Sequence, residues 1–294
     1  MENGASHPAG EEMPEAGVPV PVKPRHHWLR RALLGLSLVV VAGVAVVVVA
    51  YLLRTPPAPQ TVDSALDEFR KTSTSSPGAD GFIRPAEGVY EARGSGREEI
   101  SAPPNAQEDG ATMPVTVSSL DDGCWGWRID YNVAHWHEFD FCPDGADLLL
   151  TAQRNFQAWN FGVSGVENFG DYTCEPPAPI VAADAEAGDV FNHHCTGTNT
   201  AVPGLGVSDG PSEIVGFETL TIGGEKVSAI RQKRRTTLSG AQRGQVDEEW
   251  WYEEKTGLPL KSIRRYRLET DSLIGAIAYS EDGSWELASV EPRT

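Results

Sequence analysis

Four histidines open the question of metal chemistry. His135 and His137 stand two apart in a His-Trp-His run, and His193 and His194 are adjacent. On a strand, residues i and i+2 point to one face, so the first pair can chelate. A zinc enzyme needs three protein ligands and an open position. No spacing brings His193 or a carboxylate to the first pair, so the expectation is two histidines at a hairpin tip and no metal. The four cysteines, Cys124, Cys142, Cys174 and Cys195, are separated by 17, 31 and 20 residues, unlike any Cys-x-x-Cys metal or redox motif. They read as two disulfides, which leaves no thiolate nucleophile. No nucleophile elbow is expected for serine catalysis. Acidic residues are too numerous for two of them to be singled out as a glycosidase dyad. Gly162, Gly165 and Gly170 precede no helix, so no phosphate cradle is formed. The expectation is a protein that is not an enzyme and has no cofactor.

Aromatic residues are the remaining signal. The chain has eight tryptophans. Most are expected to fill the inner face of a curved sheet as core, and a minority to line a cavity; Trp125, Trp127, Trp250, Tyr252 and Tyr266 are the candidates, since amphipathic rings suit a lipid or glycan ligand.

These side chains need strands to position them. In the run from Cys124 to Cys142, placing the two cysteines opposite each other sets Trp125 against Phe141 and Trp127 against Phe139. The same alignment sets Arg128 against Glu138 on the other face. A slip of one residue would scatter both sets across faces. The hairpin and a Cys124–Cys142 bond therefore support each other, and Cys174 pairs with Cys195 by elimination. A second hairpin is expected around Gly257-Leu258-Pro259-Leu260. Its expected register opposes Asp247 to Arg267, Glu249 to Arg265 and Glu253 to Lys261. The other face then collects Val246, Trp250, Tyr252, Leu260, Tyr266 and Leu268, with Arg264 as an intruder. The basic run 231–235 is expected on the far side of the acidic strand, making a solvated charge ladder. Gly223-Gly224 and Asp282-Gly283 read as two-residue hairpin turns.

Before this β-rich part, Ala32 to Leu53 is a run of 22 residues without a charge. About 20 apolar residues span a bilayer as a helix. The run exceeds the roughly 7–15 residues of a signal peptide's apolar region. No cysteine follows it closely, which disfavours a lipid-anchored lipoprotein. Lys23, Arg25, Arg30 and Arg31 precede it while only Arg54 follows closely, so the positive-inside rule puts the N-terminus in the cytoplasm. Trp28 and Tyr51 sit where interfacial aromatics are common. The chain carries 24 Lys+Arg against 42 Asp+Glu, a formal charge of -18. All of the excess lies beyond residue 54, where 19 bases meet 38 acids for a net of -19, and a surface so acidic repels phosphate backbones, which excludes nucleic acid as a partner.

The expected organisation is a disordered cytoplasmic tail over 1–27 and a transmembrane helix over 28–54. Residues 55–87 hold a Pro-rich exit, a short helix over 61–71 and a linker over 72–81. In that helix Val62, Leu66 and Phe69 share a face. Residues 88–294 form an extracytoplasmic β domain.

Trp251 followed by Thr256-Gly257-Leu258-Pro259-Leu260 resembles the Trp…Thr-Gly-Leu-Pro hairpin of the LolA-like and LppX/LprG-like lipoprotein carriers. The whole chain is similar to uncharacterised actinobacterial membrane-anchored proteins with Gly-Val-Tyr, Gly-Cys-Trp and Gly-Leu-Pro-Leu, here at Gly88, Gly123 and Gly257. The resemblance implies a mainly β fold, a curved antiparallel meander sheet forming an unclosed half-barrel with a short helix. It also implies an apolar cavity for acyl chains. The function expected is a single-pass, membrane-tethered binding domain for lipid or another amphiphile. The alternative is a structural or protein-interaction module of the cell envelope, with an envelope protein as partner and no small-molecule ligand.

Overall fold

The computed structural model describes residues 27–72, 83–182, 184–272 and 275–294. The N-terminal tail with Lys23 and Arg25, the side chain of Trp28 and the linker over 73–81 lie outside the described residues. Two compact units are present, Met1–Val48 and Val49–Thr294.

Helix α1 runs His27–Leu52, and its stretch Arg30–Leu52 is long and apolar enough to cross a membrane. At 1.5 Å per residue, its 23 residues extend about 35 Å. Leu33, Leu38, Val41 and Val46 are all exposed. Nonpolar side chains are thus left out on more than one side of the helix.

In the second unit, helix α2 (Val62–Thr72) buries Val62, Ala65, Leu66 and Phe69 around Val89. Its N-terminus is capped by the Thr61 Oγ1, which accepts the Ser64 amide at 3.1 Å. Asp63 in the first turn and Arg70 and Lys71 in the last suit the helix dipole.

Among the described residues thirteen strands follow: β1 Gly88–Ser101, β2 Pro104–Glu108, β3 Thr112–Ser119, β4 Trp125–Asn132, β5 His135–Asp144, β6 Asp147–Asn160, β7 Gly165–Val181, β8 Val190–Asn199, β9 Leu205–Ile222, β10 Glu225–Gly240, β11 Arg243–Glu253, β12 Pro259–Ser272 and β13 Gly275–Leu287. Each strand from β3 to β13 pairs antiparallel with the next, and β3 pairs with β1. Strand β13 then pairs with β1 from Ala92↔Leu287 to Ile100↔Tyr279, which closes the ring. The result is a closed barrel of twelve antiparallel strands, with β2 folded back on β1. This corrects the expected half-barrel. An unclosed sheet would leave the amides and carbonyls of β1 and β13 as bare edges, and closure pairs them. Phase along β1 also places α2: Tyr90 and Ala92 join the main core, whereas the preceding Val89, on the opposite face, joins α2, so the helix covers the outer face of the wall.

The β4–β5 register is Trp125↔Phe141, Trp127↔Phe139 and Arg128↔Glu138, with a bulge between Asp130 and Asn132 before the turn. Disulfides join Cys124 to Cys142 and Cys174 to Cys195. The β11–β12 hairpin departs from expectation by two residues: Asp247 opposes Arg265, Glu248 opposes Arg264, and Trp251 opposes Lys261. A shift of two keeps every side chain on its face, so the same apolar set still points inward. Gly223-Gly224 makes the β9–β10 turn at positive φ, 58° and 91°. Asp282-Gly283 does not turn. It lies inside β13, with Gly283 opposite Gly96. A Cβ on Gly283 would sit 2.6 Å from the Arg264 guanidinium carbon. One on Gly96 would collide with the Asp109 carboxylate. The two glycines clear space for a buried ion pair.

Inward positions on three adjacent strands change character together. On β11 they read Val246, Glu248, Trp250, Tyr252, and on β12 Leu268, Tyr266, Arg264, Ser262, Leu260. On β13 they read Tyr279, Glu281, Gly283, Trp285. One apolar cluster contains Val246, Leu268 and Tyr279, and the main core contains Trp250, Leu260 and Trp285. A layer of charged side chains lies between them.

Candidate functional site

The aromatic end of the barrel is filled. Trp127 stacks on Trp285 at 5.4 Å between ring centroids and meets Trp250 edge-on at 5.8 Å. Trp125 packs on Phe141 at 4.6 Å, and Tyr252 stacks on Trp250 at 5.9 Å. Contacts of this kind add about 0.5–1.5 kcal/mol each beyond simple burial. Trp125, Trp127, Trp250 and Tyr252, four of the five expected ligand-contacting residues, are therefore core. Tyr266 is the exception: it lines a cavity of about 100 Å³ together with His137, Gln157, Asn199, Thr236 and Glu248.

Beside this chamber, closure of the barrel assembles a network from distant strands. His135 and His137 come from β5 and are both buried, not exposed at a hairpin tip. Their Nε2 atoms are 3.4 Å apart. Strand β13 brings Glu281, whose Oε2 lies 4.0 Å from His135 Nε2. Strand β1 brings Glu98, whose Oε1 lies 3.3 Å from His135 Nδ1. These four residues are 1–5 % exposed or less. The Tyr279 hydroxyl lies 2.6 Å from Glu281 Oε2 and 2.8 Å from Glu98 Oε2, and accepts from Gln157 Nε2 at 2.7 Å. Arg264 binds Glu281 through Nε and Asp109 through Nη2, the latter at 2.5 Å. Its guanidinium carbon rests 3.7 Å from the Tyr131 ring centroid.

Electrostatics divides the two glutamates. Burial, reinforced by the charge of Glu281, pushes the Glu98 carboxyl well above the usual carboxylate range. Burial also opposes the charge on Glu281, yet Arg264 and the two histidines hold that carboxyl down to about 2. A phenol has one proton to give, so Tyr279 donates it to ionised Glu281, and protonated Glu98 donates to Tyr279. Burial pushes His135 down to about 3 and lowers His137, which keeps both imidazoles neutral near pH 7.

His193 does not join this pair. Its Nε2 shares a hydrogen bond with Thr236 Oγ1 at 3.2 Å, and burial with the nearby Arg234 charge pushes it down to about 4. His194 faces outward and pairs with Asp209. Arg234 and Glu248 form a second buried ion pair through two bonds to one carboxylate oxygen, 2.8 and 2.6 Å. The letters Gly-x-Ser-x-Gly occur at Gly206–Gly210 but lie inside β9, with no strand–turn–helix elbow, and Ser208 accepts from Gln153 Nε2 at 3.2 Å.

No family model matches the chain, and no curated protein matches it. Among solved structures it is similar to the hypothetical lipoprotein YmcC from Escherichia coli K12, at 13% identity, covering 77% of this chain and 97% of that one. The TM-score is 0.31. A likeness of that size carries no argument about the site.

Sequence reasoning missed Glu98, Asp109 and Glu281 and read Arg264 as an intruder. A signal was present in phase: Glu248, Arg264 and Glu281 each share the inward face of their strand with tryptophan, leucine or tyrosine. What the sequence lacks is the pairing of β1 with β13 that brings Glu98 to Glu281. Outside the wall, Arg235–Asp247 and Arg231–Glu249 form the β10 side of the expected ladder, whereas Arg265 and Arg267 pair with Asp282 on β13 instead of with the acidic strand.

Proposed function

We propose that this chain is a membrane-tethered, extracytoplasmic binding domain, not an enzyme, whose cargo is an ion or a small polar molecule held inside the barrel. The observation that carries the reading is the buried polar layer with its chamber of about 100 Å³. Pockets for drug-sized ligands run roughly 300–1,000 Å³, and a water takes about 30 Å³. The chamber thus suits an occupant of a few heavy atoms. The lipid form of the reading draws little support, because the aromatic face expected to hold acyl chains is packed core. Tethering is supported by the apolar stretch Arg30–Leu52. An extracytoplasmic barrel is supported by its two disulfides and by the flanking bases.

The test is native mass spectrometry of the full chain after gentle extraction in mild detergent, with protease shaving of intact cells. The expected result is a small adduct on the barrel, no acyl lipid, and digestion of the C-terminal part alone. A copurified acyl lipid retained in stoichiometric amount, or a barrel protected from external protease, overturns the proposal.

A further inference from the structure

We infer that His135, His137 and Glu281 form a binding site for one divalent first-row transition cation, with the chamber supplying its open coordination position. This rests on the reading of the chamber as a binding site and names its occupant. Geometry carries it first. With metal–nitrogen bonds of about 2.05 Å, a tetrahedral ion holds two nitrogens roughly 3.3 Å apart. The two Nε2 atoms are 3.4 Å apart. The 4.0 Å from His135 Nε2 to Glu281 Oε2 exceeds that edge by less than ~1 Å, within reach of a small side-chain adjustment. The three residues come from two strands whose inward phases meet, and all three are buried.

The surroundings carry it second. Metal-bound histidines donate their other ring nitrogen to a carboxylate or similar acceptor, which fixes the tautomer. Both acceptors are in place. Glu98 Oε1 lies 3.3 Å from His135 Nδ1, and the Tyr131 hydroxyl lies 3.4 Å from His137 Nδ1. His135 Nδ1 is otherwise without a hydrogen-bond partner among the described residues, although its side chain is wholly buried. Such an orphan is costly in a barrel interior. It is resolved when Nε2 takes a metal and Nδ1–H turns to Glu98. Charge carries it third. The layer around the histidines has three carboxylates, Glu98, Asp109 and Glu281, against one guanidinium, Arg264. Even with Glu98 protonated, Asp109 and Glu281 against Arg264 leave one negative charge in excess, which favours a cation. Arg264 sits on Glu281 Oε1 and leaves Oε2 toward the histidines. A ligand set of two histidines and one glutamate is of the kind that holds zinc with a free fourth position. His137 and Tyr279 line the chamber, so that position opens into it.

The experiment uses the full chain in detergent micelles, stripped with a chelator, then titrated with Zn2+ alone and with Co2+ as a spectroscopic probe. The expected result is saturable uptake of one equivalent, with the visible absorption of tetrahedral Co2+ and a rise in Tm on adding Zn2+. His137→Gln and Glu281→Gln should abolish the absorption. Glu98→Gln, which keeps an acceptor at His135, should weaken affinity about 10–100-fold, and His193→Gln should leave it unchanged. If the ligand variants fail to fold, the wild-type stoichiometry and the contrast between Glu98→Gln and His193→Gln decide the matter. No saturable uptake by the wild type overturns the inference, as does uptake that survives in folded His137→Gln. A barrel that takes no metal but carries another small polar adduct overturns this site and leaves the chamber reading standing. A barrel that carries neither overturns both.

Discussion

Adjacent rungs of the β10–β11 ladder offer a matched experiment on burial. Arg234 pairs with Glu248 facing inward, and the next rung, Arg235 with Asp247, faces outward. Strands and charge types are alike, with two hydrogen bonds in the inner pair and one in the outer. Exposure is not: the inward side chains are 5 and 3 % accessible, the outward ones 69 and 46 %. Removing one partner of a buried pair strands a desolvated charge and costs about 3–5 kcal/mol. An exposed pair contributes about 0–1 kcal/mol. Glu248→Gln keeps a carbonyl acceptor for the Tyr266 hydroxyl, 3.1 Å away, but removes the charge and turns an amide NH2 toward the Arg234 donors. It should therefore cost about 3–5 kcal/mol, which at 2–4 °C per kcal/mol lowers Tm by roughly 6–20 °C. Asp247→Asn should lower it by no more than about 4 °C. The double variant Arg234→Met/Glu248→Gln should recover about 0.5–3 kcal/mol relative to the sum of the singles, because no charge is left alone. The assay is thermal and urea unfolding of the full chain in micelles, followed by tryptophan fluorescence. Equal losses at the two rungs, or strict additivity at the inner one, would refute the claim that desolvation sets the difference.

Gly283→Ala forces a methyl group onto the Arg264 guanidinium and should destabilise by about 1–3 kcal/mol, whereas Gly188→Ala, in open space but at positive φ, should cost about 1 kcal/mol; a Tm ranking in the reverse order counts against the slot. Trp127→Ala, emptying the centre of the aromatic stack, should cost about 3–5 kcal/mol by denaturant titration. His193 has a folded value of about 4 against 6.5 unfolded, so the unfolded chain binds its proton first as pH falls. Its contribution is present above pH 6.5, is lost between about 6.5 and 4, and amounts to about 3 kcal/mol. Wild type minus His193→Gln, measured across that range, should show this slope; a flat difference would sink the assignment. Alkylation of the denatured, unreduced chain should label no cysteine.

The sequence alone determined what depends on neighbours in the chain. The apolar run before Arg54 became α1, the spacing of Val62, Leu66 and Phe69 became α2, and Trp125, Trp127, Phe139 and Phe141 pinned the β4–β5 register, since a one-residue slip would turn them all outward. Two-residue slips are invisible to that logic, because they keep every face, and the β11–β12 register shifted by two. Only tertiary structure decided closure. The contact of β1 with β13 joins Glu98 to Glu281 across most of the domain, and no local pattern encodes which edge meets which. That single pairing turned an open sheet into a barrel and drew His135, His137, Glu281 and Arg264 from three strands into one buried layer. There, charges that read as solvated on paper must find partners inside the protein.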